Sequence, residues 1–315
     1  MAAVRHGTAI SICRFCIDTI VEAHRCGINL IDTAPGYNNS EVIVGQALKK
    51  LPRNDIVVET KCGIVWERTG SLFNKVGDRQ LYKNLTPESI REEVEASLQR
   101  LGIDTIDIYM THWQSVEPCF TPIAETVDTL NALKKRGKFV LSVRRTSMPG
   151  IREYLNMVSW ISSRPYSILD RALEGELLPL CRQNGIIVQV YSPLEQGLLT
   201  GTIGRDYVPG GARLTKSGSS GKYAAVMDML EWRPLCANTT AIPALALAWI
   251  LKQSDLITLL SGATSPEQVR ENTDALTIAL TDEDSLLMRE MAVALDTSNG
   301  RTARPLFLCN RVLNL

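Results

Sequence analysis

Three apolar runs in this chain end in residues that can move a proton. INLI is followed by Asp32 and, within DTAPGY, by Tyr37; VVET is followed by Lys61; IYMT is followed by His112. Taken singly, each has an ordinary structural reading. An Asp at a strand end often caps a loop, a Lys is usually solvated, and a lone His is more often structural. Together they suit one design. A buried ammonium beside a phenol favours the phenolate and lowers a pKa that starts near 10. A carboxylate anchors and charges that Lys, and an imidazole hydrogen-bonds a substrate oxygen. Such a Tyr can give a proton to a carbonyl oxygen while hydride reaches the carbon.

The design requires elements that bring four strand-end residues to one rim. Short apolar runs alternate with helical segments from about residue 28 to 277. INLID (28–32), IVVET (56–60), TIDIYMTHW (105–113), FVLSV (139–143), IIVQVYS (186–192) and LITLLSGA (256–263) read as strands. A helix starts near Ser40-Glu41. Thr86-Pro87-Glu88 opens another that runs to about Arg100, with Thr as cap, Pro in the first turn and an acid at the positive end. Thr121-Pro122 opens a helix to about Arg136, and Ser265-Pro266-Glu267 caps the last of the series. This alternation implies parallel pairing with right-handed crossovers. Two sheet domains would also fit the length, but no linker separates them. The expectation is α/β, one (β/α)8 TIM barrel whose chemistry sits at the carboxyl ends of its strands.

Bulk properties are those of a globular protein: 315 residues, 45% apolar and 22% charged. Basic and acidic residues balance at 34 each, which gives no reason to expect nucleic acid or an anionic membrane as partner. No apolar run approaches the roughly 20 residues needed to span a bilayer; the run from Ala244 is too short. The N-terminus does not read as a signal peptide. Eight scattered cysteines fit a reduced, cytoplasmic chain. Cys13 and Cys16 have metal or redox spacing, but no second pair follows, so no metal site is expected.

These residues sit in longer motifs. Asp32-Thr-Ala-Pro-Gly-Tyr37, Asn39-Ser40-Glu41, Thr60-Lys61-Cys62-Gly63 and Thr111-His112-Trp113 resemble motifs of the aldo-keto reductase family. So do Tyr191-Ser192-Pro193-Leu194-Glu195-Gln196-Gly197 and Gly262 through Asn272. The resemblance covers most of residues 17–295, and is strongest to the bacterial NADH-dependent methylglyoxal reductase branch. It implies Asp32, Tyr37, Lys61 and His112 as a catalytic tetrad. It implies Tyr191 stacking on the nicotinamide, Ser192 and Leu194 near the pyrophosphate, and Gln268, Glu271 and Asn272 at the adenosine end. The helix start at Pro266 suits an anionic group. NADP-preferring relatives carry Lys or Arg in the segment aligned with Gly262-Ala263-Thr264, where this chain has none. A 2′-phosphate needs such a partner, so NADH is favoured over NADPH, with Arg270 the residue that could reverse the preference.

The strand end KFVLSVRRTS departs from this pattern. Relatives run here into Gly-x-Ser/Ala-Asn, whose last two residues touch the nicotinamide carboxamide; this chain has Arg144 and Arg145. One possible coding of Leu141–Met148, read with a two-base shift, gives VGASNVD. The same shift turns Asn156–Pro165 into YGELDIIQA, restoring the Gln expected where Ser163 stands. It turns Lys216–Tyr223 into VWFQREI, and Arg5–Phe15 into a stretch ending AWNGDLDLQV. Paired frameshifts account for all four segments; ordinary divergence is the alternative. On this reading residues 1–16, 139–165 and 214–224 are altered, the barrel is incomplete at its N-terminus, and 296–315 form a tail of unknown structure.

Three functional readings follow. One is an active reductase of small aldehydes or α-oxoaldehydes such as methylglyoxal, with Tyr37 as proton donor. Another is a cofactor-binding regulatory subunit, like the channel β-subunits of one family branch. The third is a catalytically impaired product of the altered gene. The first is what the sequence encodes by descent. The oligomeric state cannot be read.

Overall fold

The computed structural model describes residues 9–66, 68–144, 161–175, 177–202 and 242–298. Arg145, the segment 214–224 and most of the 296–315 tail lie outside these residues, as does the start of the 1–16 segment. The chain divides into two compact units, residues 1–162 with 263–269, and 163–262 with 270–315.

In the first unit, α1 (Ala9–Arg25) leads to β1 (Leu30–Asp32), α2 (Ser40–Leu48) and β2 (Val57–Cys62). Three antiparallel strands follow: β3 (Ile64–Trp66), β4 (Ser71–Val76) and β5 (Arg79–Lys83). Then come α3 (Pro87–Leu101), β6 (Ile106–Thr111), α4 (Ile123–Lys135), β7 (Phe139–Arg144) and the start of β8 (Ile161–Pro165). β1, β2, β6, β7 and β8 are parallel neighbours in that order. Asp32 pairs with Glu59, Lys61 with Met110, and Arg144 with Thr111 and Ser162.

Helix α3 shows how local rules fix an element against the sheet. Thr86 accepts the Ser89 N–H at 3.3 Å, Pro87 begins the first turn, and Gly102 ends the helix at φ 67 in the left-handed region. Ile90, Val94, Leu98 and Leu101 recur at helical spacing, and all are buried. They meet Val58, Cys62, Leu85, Ile106, Tyr109 and Phe139 in the main core of this unit. Each such aliphatic side chain contributes roughly 2 kcal/mol on burial, so a charged residue at Val94 would break the contact.

The opposite face of the strands is built by the two-residue period. Leu30, Val57, Ile108, Met110 and Leu141 form a second, smaller cluster there. Counting by twos from Leu30, Val57 and Met110 reaches Asp32, Lys61 and His112. The strand period thus directs three of the four proton-active residues to one face.

In the second unit, α5 (Leu177–Gln183), β9 (Ile187–Tyr191), α6 (Ile242–Lys252), β10 (Ile257–Leu259) and α8 (Asp282–Ser298) are ordered along the chain. The short helix Pro266–Thr273, α7, precedes α8; its residues through Val269 belong to the first unit. β9 and β10 are parallel, with Val188 opposite Ile257. The α6 sequence IPALALAWILK is apolar on all sides and almost wholly buried. Among the described residues, no helix is long and apolar enough to cross a membrane. Fully buried Trp249 donates its ring N–H to the Ser285 carbonyl at 3.0 Å. Arg289 forks onto both oxygens of Glu174 at 2.8 and 2.9 Å, and the Tyr166 hydroxyl donates to the same carboxylate at 2.7 Å. This network ties α8 to the turn after β8.

Strand boundaries differ from the sequence reading chiefly at LITLLSGA, where only Ile257–Leu259 is strand. The β3–β5 insert went unforeseen. Its signal is present: β4 and β5 are separated by Gly77-Asp78 alone, a two-residue hairpin turn with Gly77 at φ 62.

Candidate active site

Asp32 is the last residue of β1, Lys61 the last but one of β2, and His112 the first beyond β6. The Lys61 ammonium donates to the Asp32 carboxylate and to the Thr33 carbonyl, the latter at 2.9 Å. Its nitrogen lies 5.2 Å from the centre of the Tyr37 ring. The Tyr37 hydroxyl stands 3.3 Å from His112 Nε2, and the two rings meet edge to face. Tyr37 is 37% exposed, whereas Lys61 and His112 are buried at 4% and 6%. The geometry is therefore a buried cation and a buried imidazole beneath an accessible phenol.

Electrostatics keep the cation charged. Burial alone drives the Lys61 ammonium down, but Asp32 first, then Tyr37 and Glu59, outweigh it and hold Lys61 above its ordinary value. Glu59 is fully buried two residues before Lys61.

The backbone supports are equally specific. Thr33 N donates to Glu59 O at 2.9 Å, and His112 N donates to Cys62 O at 2.8 Å. The buried Glu41 carboxylate binds Thr60 Oγ1 and Arg100 Nε, each at 2.6 Å, tying α2 to β2 and α3. The unforeseen insert leans on the Tyr37 loop. Trp66 Nε1 donates to Pro35 O at 3.1 Å, and a side chain at Gly36 would meet Ile64 at 3.2 Å. The Arg79 guanidinium stacks 4.3 Å from the Trp66 ring.

The residues expected around a cofactor occupy two places. After Tyr191, the last residue of β9, the backbone turns through left-handed values at Ser192 (φ 58), Glu195 (φ 47), Gln196 (φ 58) and Gly197 (φ 97). Non-glycine residues rarely adopt such values, and backbone N–H groups in such turns form concavities that accept anions. Leu194 sits inside this turn, and Glu195 accepts the Ser167 hydroxyl at 2.7 Å. On α7, Gln268 Oε1 accepts both the backbone N–H and the hydroxyl of Thr264, at 2.8 and 2.9 Å. Asn272 Nδ2 donates to Ser261 Oγ at 2.9 Å and lies 3.4 Å from Gly262 O. Glu271 and Arg270 are exposed. Every side chain from Ser261 to Ser265 is uncharged. This neutral set fits a sugar hydroxyl better than a second phosphate.

Ser163 is buried. β7 runs through Arg144, and its side chain, like Arg145, lies outside the described residues. Among the described residues, no group of three His, Cys, Asp or Glu is placed to hold a metal ion.

The aldo/keto reductase family model matches residues 14–292. The chain belongs to the aldo/keto reductase family. Among family members, it is 72% identical over 290 residues to the NADH-specific methylglyoxal reductase of Escherichia coli K12, covering 90% of this chain and 89% of that protein. Two solved structures show the same fold. A glycerol dehydrogenase from Gluconobacter oxydans has a TM-score of 0.78 at 30% identity, with 92% of this chain and 88% of that one covered. The holo form of an aldo-keto reductase from Bacillus halodurans has a TM-score of 0.69 at 30% identity, with 87% and 86% covered. The α/β barrel class expected from the sequence is that of these family members.

Proposed function

We propose that this chain reduces small aldehydes and α-oxoaldehydes, methylglyoxal among them, with NADH as hydride source and Tyr37 as proton donor. The observation that carries the reading is the hydroxyl of partly exposed Tyr37 poised 3.3 Å from His112 Nε2 beside the charged Lys61.

Bound reduced nicotinamide supplies hydride to the carbonyl carbon. The protein's own residues handle the oxygen. As negative charge grows there, the Tyr37 hydroxyl gives up its proton and an alcohol results. The Lys61 charge, held in place by Asp32, stabilises the phenolate left behind. His112 sits beside the same oxygen and orients it. Asp32 touches no substrate atom; it fixes the position and charge of Lys61.

Two observations support NADH over NADPH. The chain from Gly262 to Ser265 offers no cation to a 2′-phosphate, and the 72% identical protein is named as NADH-specific. That name also supports methylglyoxal. The test is a steady-state assay with methylglyoxal and each cofactor. The reading requires kcat/KM at least about tenfold higher with NADH, a difference of about 1.4 kcal/mol. Equal values would contradict the cofactor assignment, and no turnover with either would contradict the reaction.

A further inference from the structure

Helix α3 carries one buried carboxylate that the proton transfer does not use. Glu93 is 3% exposed. Its Oε2 accepts the backbone N–H of Gly63 at 2.9 Å, and its Oε1 lies 3.0 Å from the Ser89 hydroxyl. Gly63 comes two residues after Lys61. The residue between them, Cys62, accepts the His112 backbone N–H through its carbonyl at 2.8 Å. One short stretch of backbone therefore bears Lys61, holds His112, and is tied by its next N–H to Glu93. The turn itself leaves little freedom. Gly63 has φ +89, and a side chain there would come within 2.5 Å of Leu85.

We propose that Glu93 is a positioning residue for this site: its hold on Gly63 sets Lys61 and His112 against Tyr37, and gain or loss of its proton alters that hold. The proposal rests on the reductase reading above.

The surroundings make a proton switch physically reasonable. Burial pushes the Glu93 carboxyl up to about 8, against the opposing effects of Gly63, Ser89 and Arg68; Glu41 pushes it further up. The charged and titratable groups facing it are Arg68 between β3 and β4, Glu41 on α2, and Tyr109 on β6. Arg68 is engaged by Glu92 at 2.7 Å and Glu41 by Arg100 at 2.6 Å. Burial raises Tyr109 well above the ordinary phenol value. In the protonated form, one carboxyl oxygen accepts from Gly63 while the O–H donates to Ser89. Loss of the proton leaves two acceptors and a buried charge that makes no ion pair among the described residues, which pulls harder on the Gly63 N–H.

Glu93→Gln copies the protonated pattern at every pH, with its carbonyl toward Gly63 and its amide N–H toward Ser89. Glu93→Leu keeps the bulk and removes the acceptor. The kcat and KM of both variants and the wild type are measured with methylglyoxal and NADH from pH 6 to 9.5, with thermal melts over pH 5 to 9.5. Below pH 7, E93Q should match wild-type kcat within about twofold. Wild-type kcat should fall through an inflection near pH 8 that E93Q lacks. Alkaline loss arising from Tyr37 would remain in both. E93L should lower kcat per folded molecule about tenfold with KM for NADH within about twofold; an unfolded fraction gives the same split, so the folded fraction is fixed from the melts before kcat is compared.

The melts read the same group without activity. The folded carboxyl, near 8, holds its proton more tightly than the unfolded one, near 4.5. Wild-type stability should therefore fall relative to E93Q as pH rises from about 5 to about 8, then level off. The same inflection in E93Q, or coincident melts, would overturn the proposal. Inactivity of both proteins with melts that still diverge would contradict the reductase reading, and the positioning role with it.

Discussion

The Tyr37 hydroxyl and His112 Nε2 stand 3.3 Å apart, with ring centroids 5.4 Å apart and planes at 89°. The imidazole edge is thus turned to the oxygen proposed to give up the proton. His112→Ala should lower kcat on methylglyoxal by roughly a hundredfold. KM for NADH should hardly move, because the proposed role of His112 is at the reacting carbonyl and not at the cofactor's adenosine end. Unchanged kcat would place the substrate oxygen elsewhere.

Lys61 and Asp32 are the pair on which the stability of the site depends. Removing one partner of a buried ion pair leaves the other uncompensated, typically at a cost of roughly 3 kcal/mol or more. Lys61→Met should destabilise the chain by about that much and abolish turnover. Lys61→Met with Asp32→Asn should recover much of the stability and none of the activity. Because the folded Lys61 is held above its ordinary 10.5, its contribution is fully present below that value and is lost only as pH rises through the higher folded one. The stability gap between wild type and Lys61→Met should therefore stay constant from pH 7 to about 10. A gap that closes within that window, followed by denaturant unfolding, would contradict a charged Lys61.

The strand end at Arg144 and Arg145 makes a separate prediction. Arg144 and Arg145 follow the apolar run of β7, and Ser163 stands where the family resemblance implies a Gln. An arginine does not lose its proton, and burying it unpaired costs several kcal/mol. Restoring VGASNVD at that strand end, together with Ser163→Gln, should tighten NADH binding at least tenfold, about 1.4 kcal/mol. Fluorescence titration of both proteins measures it, and equal dissociation constants would show that the RRTS segment is harmless. The coding DNA tests the frameshift reading itself: the shifted frame must read the family motif.

Much of this site was legible because a strand has a period of two and ends where its apolar run ends. Asp32, Lys61 and His112 announce themselves as polar residues just past INLI, VVET and IYMT, and the structure brings them to one face. The Thr86 cap of α3 was equally plain, because a cap is a local event. The insert β3–β5 was obscured by length: β3 has three residues, too few for alternation to show, and only the Gly77-Asp78 turn marks the hairpin. Glu93 was missed for another reason. In IREEVEASL it looks like one more charge on a solvated face, although it falls three residues after Ile90 and beside Val94, on the stripe α3 buries. Its partner is a backbone N–H thirty residues earlier in the chain, and side-chain types do not reveal such a bond. The bonds from Thr264 to the Gln268 carbonyl are likewise local contacts that the sequence motif does not show.

Tyr37 is the residue on which the proposed reaction stands or falls. Tyr37→Phe removes one oxygen from a ring that is 37% exposed, so it should cost less than about 1 kcal/mol of stability. Steady-state reduction of methylglyoxal by NADH, with NADH binding and thermal melts measured alongside, gives the answer. The expected result is intact folding, NADH affinity within about twofold of wild type, and kcat lower by a hundredfold or more. Wild-type turnover in that folded, cofactor-binding variant would show that the proton comes from another group.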